Sequence, residues 1–213
     1  MKWGRVFRCP YCYELNNNPI ACKFCAERLQ HLINFYKLRT KYCDELTAPF
    51  IYDSIVRDAV LKFKFGNCLD FAASFAEFMS SCDFKKPDLV VNVPNFNDKR
   101  KFKVLKTLTL AFCNNAHLKC SFNVVRKVRA TKFQHECDLN ERLINLNDAF
   151  SIKSSKLNFK SVLICDDIVT SAVTINELAK TLKKAGVVRI SAMAIAVSKI
   201  ILKHGVAQNM TSQ

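Results

Sequence analysis

The sequence predicts an α/β fold, a parallel sheet flanked by helices and preceded by a small N-terminal four-cysteine zinc ribbon. Three observations carry this expectation. Short apolar runs alternate with amphipathic stretches, the pattern of strands joined by helices. The segment Ser161–Thr174 passes from an apolar strand through Asp166 and Asp167 into a loop bearing Thr170, Ser171 and Thr174. Near the N-terminus, Cys9-Pro10-Tyr11-Cys12 and Cys22-Lys23-Phe24-Cys25 form two Cys-x2-Cys pairs nine residues apart.

The cysteine pairs come first in the chain. Each can present two thiolates to one edge of a metal, and two such knuckles complete a closed tetrahedral site at Cys9, Cys12, Cys22 and Cys25. A closed site implies structural zinc. A redox Cys-x2-Cys or chance clustering in a cysteine-rich chain are the alternatives, and the closeness of the doubled pairs favours zinc. A helical exit is expected over 26–39, so the appendage spans 1–43.

The main domain is expected over 44–202. Pro49 and the extended Phe50-Ile51-Tyr52 lead into a helix capped by Asp53 or Ser54. Ile55, Val56, Ala59, Val60 and Phe63 line one face of it, and Gly66 ends it. A second helix is expected over 69–80, with Phe71, Phe75 and Phe78 as a core stripe rather than a base-stacking platform. The run 88–93 predicts a buried strand closed by Pro94. A helix near 107–115 and a strand at about 121–125 follow. Residues 127–138 lack periodicity and suggest a loop or hood, and a helix is expected near 139–147. After the Asp-Asp strand, a helix over 175–184 ends near Gly186, and 188–197 predicts the last strand. The tail, 203–213, is polar.

In open α/β sheets, ligands sit beyond the carboxyl ends of the strands. Backbone N–H groups at a helix start favour an anion there. Two carboxylates beside such a loop suit a ligand with vicinal hydroxyls, a phosphate and Mg²⁺, as in a sugar phosphate. The competing interpretation is an ordinary solvent-facing strand end.

The 213-residue chain is half hydrophobic, which permits a packed core and argues against global disorder. No stretch approaches a membrane span, so membrane insertion is not expected. The seven cysteines outside the knuckles are scattered and odd in number, which suggests reduced thiols in a cytoplasmic protein. The net charge is +15. Lys99, Arg100, Lys101, Lys103, Lys106, Lys119, Arg126, Lys127, Arg129 and Lys132 face a single acid, Asp98, in one window. Such a field attracts polyanions: diphosphate, nucleotide or nucleic acid. A solvated basic face is the alternative.

The Asp-Asp loop resembles the 5-phosphoribosyl-1-diphosphate (PRPP) motif of phosphoribosyltransferases. By that resemblance, Asp166 and Asp167 contact the ribose hydroxyls as catalytic residues, and Thr170, Ser171, Ala172, Val173 and Thr174 wrap the 5-phosphate. Further segments come in a set order: Tyr52-Asp53-Ser54-Ile55-Val56-Arg57, Leu61-Lys62-Phe63-Lys64-Phe65-Gly66, Val93-Pro94, and Arg126-x-Val128-Arg129-x-Thr131-x-x-Gln134, followed by Arg142-x-x-Asn145 and Ala149-Phe150. With the doubled cysteine pairs and the Asp-Asp loop, this order is similar to the ComF family (ComFC-like proteins), which joins a phosphoribosyltransferase-like sheet to an N-terminal zinc finger. Two positions depart from the family pattern. Ala172 replaces the loop glycine, and Lys103-Val104-Leu105-Lys106 stands where the family has Arg-Gly-Phe-Asn.

The resemblance implies PRPP with Mg²⁺ as ligand and a role in DNA uptake, natural transformation or related nucleic-acid processing. Val93, Pro94, Asn95, Lys99, Arg100 and Lys103 would border the diphosphate. Two hypotheses remain open. One is a phosphoribosyltransferase, active or lapsed. The other is an inactive protein on the same fold that binds single-stranded DNA or a partner such as a DNA-uptake helicase. Lys99, Arg100, Lys101, Lys103, Lys106, Arg126, Lys127, Arg129 and Lys132 would contact nucleic acid in the second case.

Overall fold

The computed structural model describes residues 7–9, 11–16, 21–66, 71–95, 99–129, 146–153 and 157–203. The small ribbon begins with β1 (Phe7–Arg8) and β2 (Leu15–Asn16), an antiparallel pair, followed by α1 (Lys23–Gln30). The expected exit over 26–39 is helical only to Gln30. The chain then forms β3 (Tyr36–Leu38), which pairs antiparallel with β4 (Glu45–Ala48) at the edge of the main sheet.

The main sheet runs β3-β4-β10-β9-β6, with β5 (Phe50–Ile51) also paired to β10. Its other members are β6 (Leu89–Asn92), β9 (Ser161–Val169) and β10 (Arg189–Val197). Apart from β3, every pairing is parallel. Val162, Leu163, Ile164 and Cys165 are all buried, as are Ala192 through Val197. Consecutive buried residues on a strand require cover on both faces, which is why these strands read as continuous apolar runs.

The cover comes from α2 (Ser54–Phe65), α3 (Phe71–Ser80), α4 (Lys99–Asn115) and α5 (Val173–Lys184), with α6 (Lys199–Lys203) closing the described chain. Asp53 caps α2, accepting from Ser54 N at 2.8 Å, and Val56, Ala59, Val60 and Phe63 are buried as the period predicts. In α3, Phe71 and Phe75 are buried and Phe78 packs edge-on against Phe50. Gly186 takes φ 92° after α5, and Val187 N donates back to Leu182 O. That closure is of the glycine-dependent kind expected at a helix C-terminus.

Two further expectations are corrected. The helix anticipated near 107 starts at Lys99, because lysine and arginine sustain helices nearly as well as alanine. The strand anticipated over 121–125 does not join the main sheet as such. Cys120 makes one isolated parallel bridge to Val90, and β7 (Val125–Lys127) pairs antiparallel with β8 (Phe150–Ile152) in a separate ribbon. Most of the expected helix near 139–147 and most of the 127–138 loop fall outside the described residues.

Candidate functional site

Parallel pairing places the carboxyl ends of β5, β6, β9 and β10 on one edge of the sheet. Asp166 and Asp167 lie in β9 near that edge, with Thr170–Ala172 beyond its end and α5 starting at Val173. Asp166, Thr170, Ser171, Ala172 and Thr174 line a cleft enclosing about 230 Å³ of space open to solvent. The loop is tied to β10. Ser198 N donates to Val169 O at 2.9 Å, and Ser198 Oγ donates to Thr170 O at 2.8 Å.

Ala172 is the N-cap of α5 and adopts the left-handed conformation, φ 56° and ψ 7°. Such a conformation costs a non-glycine residue roughly 1–2 kcal/mol. The alanine therefore keeps the backbone shape that a glycine would take with less strain. Its methyl group is buried. Ala172 O accepts the first helical bond, from Asn176 N at 2.8 Å, but the residue offers no side-chain cap. No acid stands in the first turn of α5 either. A helix start without a side-chain acceptor suits an external anion.

The two carboxylates are not equivalent. Asp166 Oδ1 accepts from Asp167 N at 2.9 Å, and Asp167 Oδ1 accepts from Ile168 N at 2.7 Å. Lys64 Nζ donates to Asp167 Oδ1 at 3.0 Å and lies 2.9 Å from its Oδ2. Burial, reinforced by the neighbouring Asp167 charge, pushes the Asp166 carboxyl up to about 8. Burial works against the Lys64 charge, but Asp167 outweighs it and the ammonium is held above its ordinary value. A carboxyl whose proton burial favours, beside one paired with a lysine, offers a donor and an acceptor together, complementary to a vicinal diol whose hydroxyls can both give and accept. With Lys64 on both Asp167 oxygens, the donors do not fit a Mg²⁺ ion coordinated directly at Asp167.

Sequence reasoning missed the pairing role of Lys64. Lys64 lies on the flank of the buried stripe of α2, one residue beyond Phe63, and helical spacing alone does not point to a partner 103 residues away. Tyr52, at the end of β5, faces the same electrostatic neighbourhood. Burial raises its phenol despite Lys64 and Arg57.

Among the residues expected to border a diphosphate, Val93 N donates to Cys165 O at 3.1 Å, which places Val93, Pro94 and Asn95 beside the strand that carries Asp166. Arg100 donates to Phe65 O and stacks 5.6 Å from the Phe65 ring, at the end of α2 next to Lys64. Lys103 is exposed on α4. The side chains of Lys99 and Lys101 lie outside the described residues, as do Lys132, Gln134, Arg142 and Asn145. Lys106 Nζ sits 5.9 Å from the Phe102 ring and 5.3 Å from the Phe122 ring, which meet edge to face. Arg126 and Arg129 are engaged by Ser151 Oγ and Asn147 O, and Lys127 is part of β7.

The four cysteines converge as their spacing predicts. The Sγ atoms of Cys9, Cys12, Cys22 and Cys25 lie within 4.8 Å of one another, and Cys12 and Cys22 are 3.6 Å apart. Zn–S bonds of about 2.3 Å imply sulfur separations close to this, so the set fits a tetrahedral ion. Cys9 and Cys25 are buried, and Cys22 N donates to Cys9 Sγ. The centre is fastened to the main domain. Tyr11 packs on Phe75, Tyr13 packs on Phe71, and Lys62 Nζ stands 4.3 Å over the Tyr13 ring.

The phosphoribosyl transferase domain family model matches residues 110–203. The chain is 25% identical over 205 residues to competence protein F of Haemophilus influenzae, covering 88% of this chain and 89% of that protein. A solved structure of the allosteric regulatory enzyme of purine biosynthesis aligns with 64% of this chain at TM-score 0.43 and 11% identity. The chain spans about 30% of that enzyme's length. Among the described residues, no helix is long and apolar enough to cross a membrane.

Proposed function

We propose that the chain is a ComF-like protein on a phosphoribosyltransferase fold, as the family match and the competence relative support, that it binds PRPP at the edge formed by β9 and α5, and that it serves DNA uptake or related nucleic-acid processing. The uncapped, left-handed entry into α5 directly after the Asp166–Asp167 strand is the observation that carries this reading. The N–H groups around Ala172 and Val173, with Thr170, Ser171 and Thr174, take the 5-phosphate. Asp166 and Asp167 take the ribose hydroxyls. Val93, Pro94 and Asn95, with Arg100 and Lys103, border the diphosphate, and Mg²⁺ arrives as the counter-ion of that diphosphate. Zn²⁺ holds the four-cysteine centre and with it the ribbon.

The proposed role in DNA uptake is supported by the competence relative and by the basic charge. Lys103 and Lys106 on α4, beside Phe102 and Phe122, offer cations and aromatic rings of the kind that hold single-stranded DNA.

A calorimetric titration of PRPP with Mg²⁺ into zinc-loaded protein tests the ligand assignment. Saturable binding is expected, and it should vanish in the Asp166→Ala, Asp167→Ala double variant. Absence of heat in the parent protein, or equal binding by the variant, would refute the assignment.

A further inference from the structure

Lys64 is a largely buried cation paired with Asp167, the residue next to Asp166 of the cleft lining, with a side-chain exposure of 23% against 17% for Asp167. Taking an ammonium and a carboxylate out of water is costly, and pairing with good geometry is what offsets it. The pair joins the last turn of α2 to a strand end 103 residues away. The last turn of a helix is also where a cation is electrostatically favoured.

Both oxygens of Asp167 are engaged by this ammonium, so a divalent cation at Asp167 would first have to displace it. Mg²⁺ demands near-octahedral oxygen ligation and dehydrates reluctantly, whereas Lys64 already supplies positive charge at the carboxylate. The phosphate position, at the start of α5, has its own backbone donors and positive helix end. Neither half of a ribose 5-phosphate then calls for a metal.

Resting on the reading of this cleft as a sugar-phosphate cradle, we propose that Lys64 is its built-in counter-cation. It is a positioning residue that holds Asp167 for a ribose hydroxyl and lets the cradle take ribose 5-phosphate without a divalent ion. A merely architectural salt bridge would behave differently, since its removal would weaken binding alike with and without metal.

The experiment titrates ribose 5-phosphate into zinc-loaded full-length protein after exhaustive Mg²⁺ removal, and again in millimolar Mg²⁺, for the parent, Lys64→Met and Lys64→Arg. The parent is expected to bind equally in both buffers. Lys64→Met should lose at least about tenfold in affinity without Mg²⁺, as removing one partner of a buried charge pair does, and should recover on adding Mg²⁺. Lys64→Arg should retain metal-free binding. Parent protein that binds ribose 5-phosphate only with Mg²⁺, or Lys64→Met weakened equally in both buffers, overturns the proposal. If Lys64→Met fails to fold, the parent's metal dependence decides alone. Parent protein that binds PRPP with Mg²⁺ yet needs the metal for ribose 5-phosphate overturns this inference only. Failure to bind either ligand in any buffer overturns the cradle reading with it.

Discussion

Tyr11 Oη and Ser74 Oγ lie 2.9 Å apart in a buried hydrogen bond that joins the four-cysteine ribbon to α3. Burial drives the Tyr11 phenol well above its ordinary range, so it stays protonated. With the Tyr11–Phe75 and Tyr13–Phe71 contacts, this bond makes the ribbon part of the domain's packing rather than a tethered appendage.

Loss of the metal should therefore be felt beyond the ribbon. The protein is expected to carry one zinc per chain by elemental analysis. Cys25→Ser or strong chelation should lower the thermal midpoint, because buried thiolates without a metal must protonate and the ribbon's docking loosens. An unchanged midpoint after verified metal loss would refute this coupling.

Tyr11→Phe isolates the hydrogen bond from the ring packing. It should cost about 1–3 kcal/mol in urea unfolding, since Ser74 is fully buried and would be left without its partner. A neutral result would mean that Ser74 finds another hydrogen-bond partner.

The strain at Ala172 can be read by substitution. Ala172→Gly relieves the left-handed strain but gives up a buried methyl, two effects of roughly 1 kcal/mol each and opposite sign, so stability should change little. Ala172→Val adds β-branching at a positive φ and should cost on the order of 1–3 kcal/mol. Denaturant midpoints check both. PRPP affinity should survive Ala172→Gly and fall in Ala172→Val.

The protonation of Asp166 gives a pH signature. Its carboxyl is raised from 3.8 to about 8. The native state therefore holds a proton across that interval that the unfolded chain has released, and stability contributed by this group falls as pH rises through the window. It is fully present below the unfolded value and gone above the folded one. Asp166→Asn should flatten that slope and be more stable than the parent near pH 8. Urea unfolding as a function of pH measures it, and parallel slopes for the two proteins would contradict it.

On the basic face, Lys103→Ala with Lys106→Ala should weaken single-stranded DNA binding. The pair should also reduce the salt dependence, the log–log slope falling by roughly 0.7 for each phosphate no longer neutralised. Fluorescence anisotropy over a salt series reads this, and an unchanged slope would remove α4 from the interface.

Much of this architecture is legible in the chain because its strongest signals are local. The strand through Asp166, the α2 and α3 faces, the Gly186 closure and the doubled cysteine knuckles each follow from the spacing of a few residues. What was not legible depends on partners distant in sequence. β3 and β4 are short, and their strand character comes from the sheet edge beside β10. Lys99–Lys106 stood outside the expected helix, and its place in α4 shows only once Val104 and Leu105 are packed. The site divides the same way. The acids and hydroxyls announce themselves, but Lys64 lies 103 residues from its carboxylate. No pattern within α2 states that Lys64 turns inward to Asp167, while Lys62 covers Tyr13 of the ribbon.

A crystal structure of the zinc-loaded protein soaked with ribose 5-phosphate tests the central claim most directly. The account predicts the phosphate within hydrogen-bond distance of the backbone N–H groups at the start of α5, with ribose hydroxyls on Asp166 and Asp167. A sugar phosphate bound instead on the α4 surface, with the Thr170–Thr174 loop empty, would contradict it.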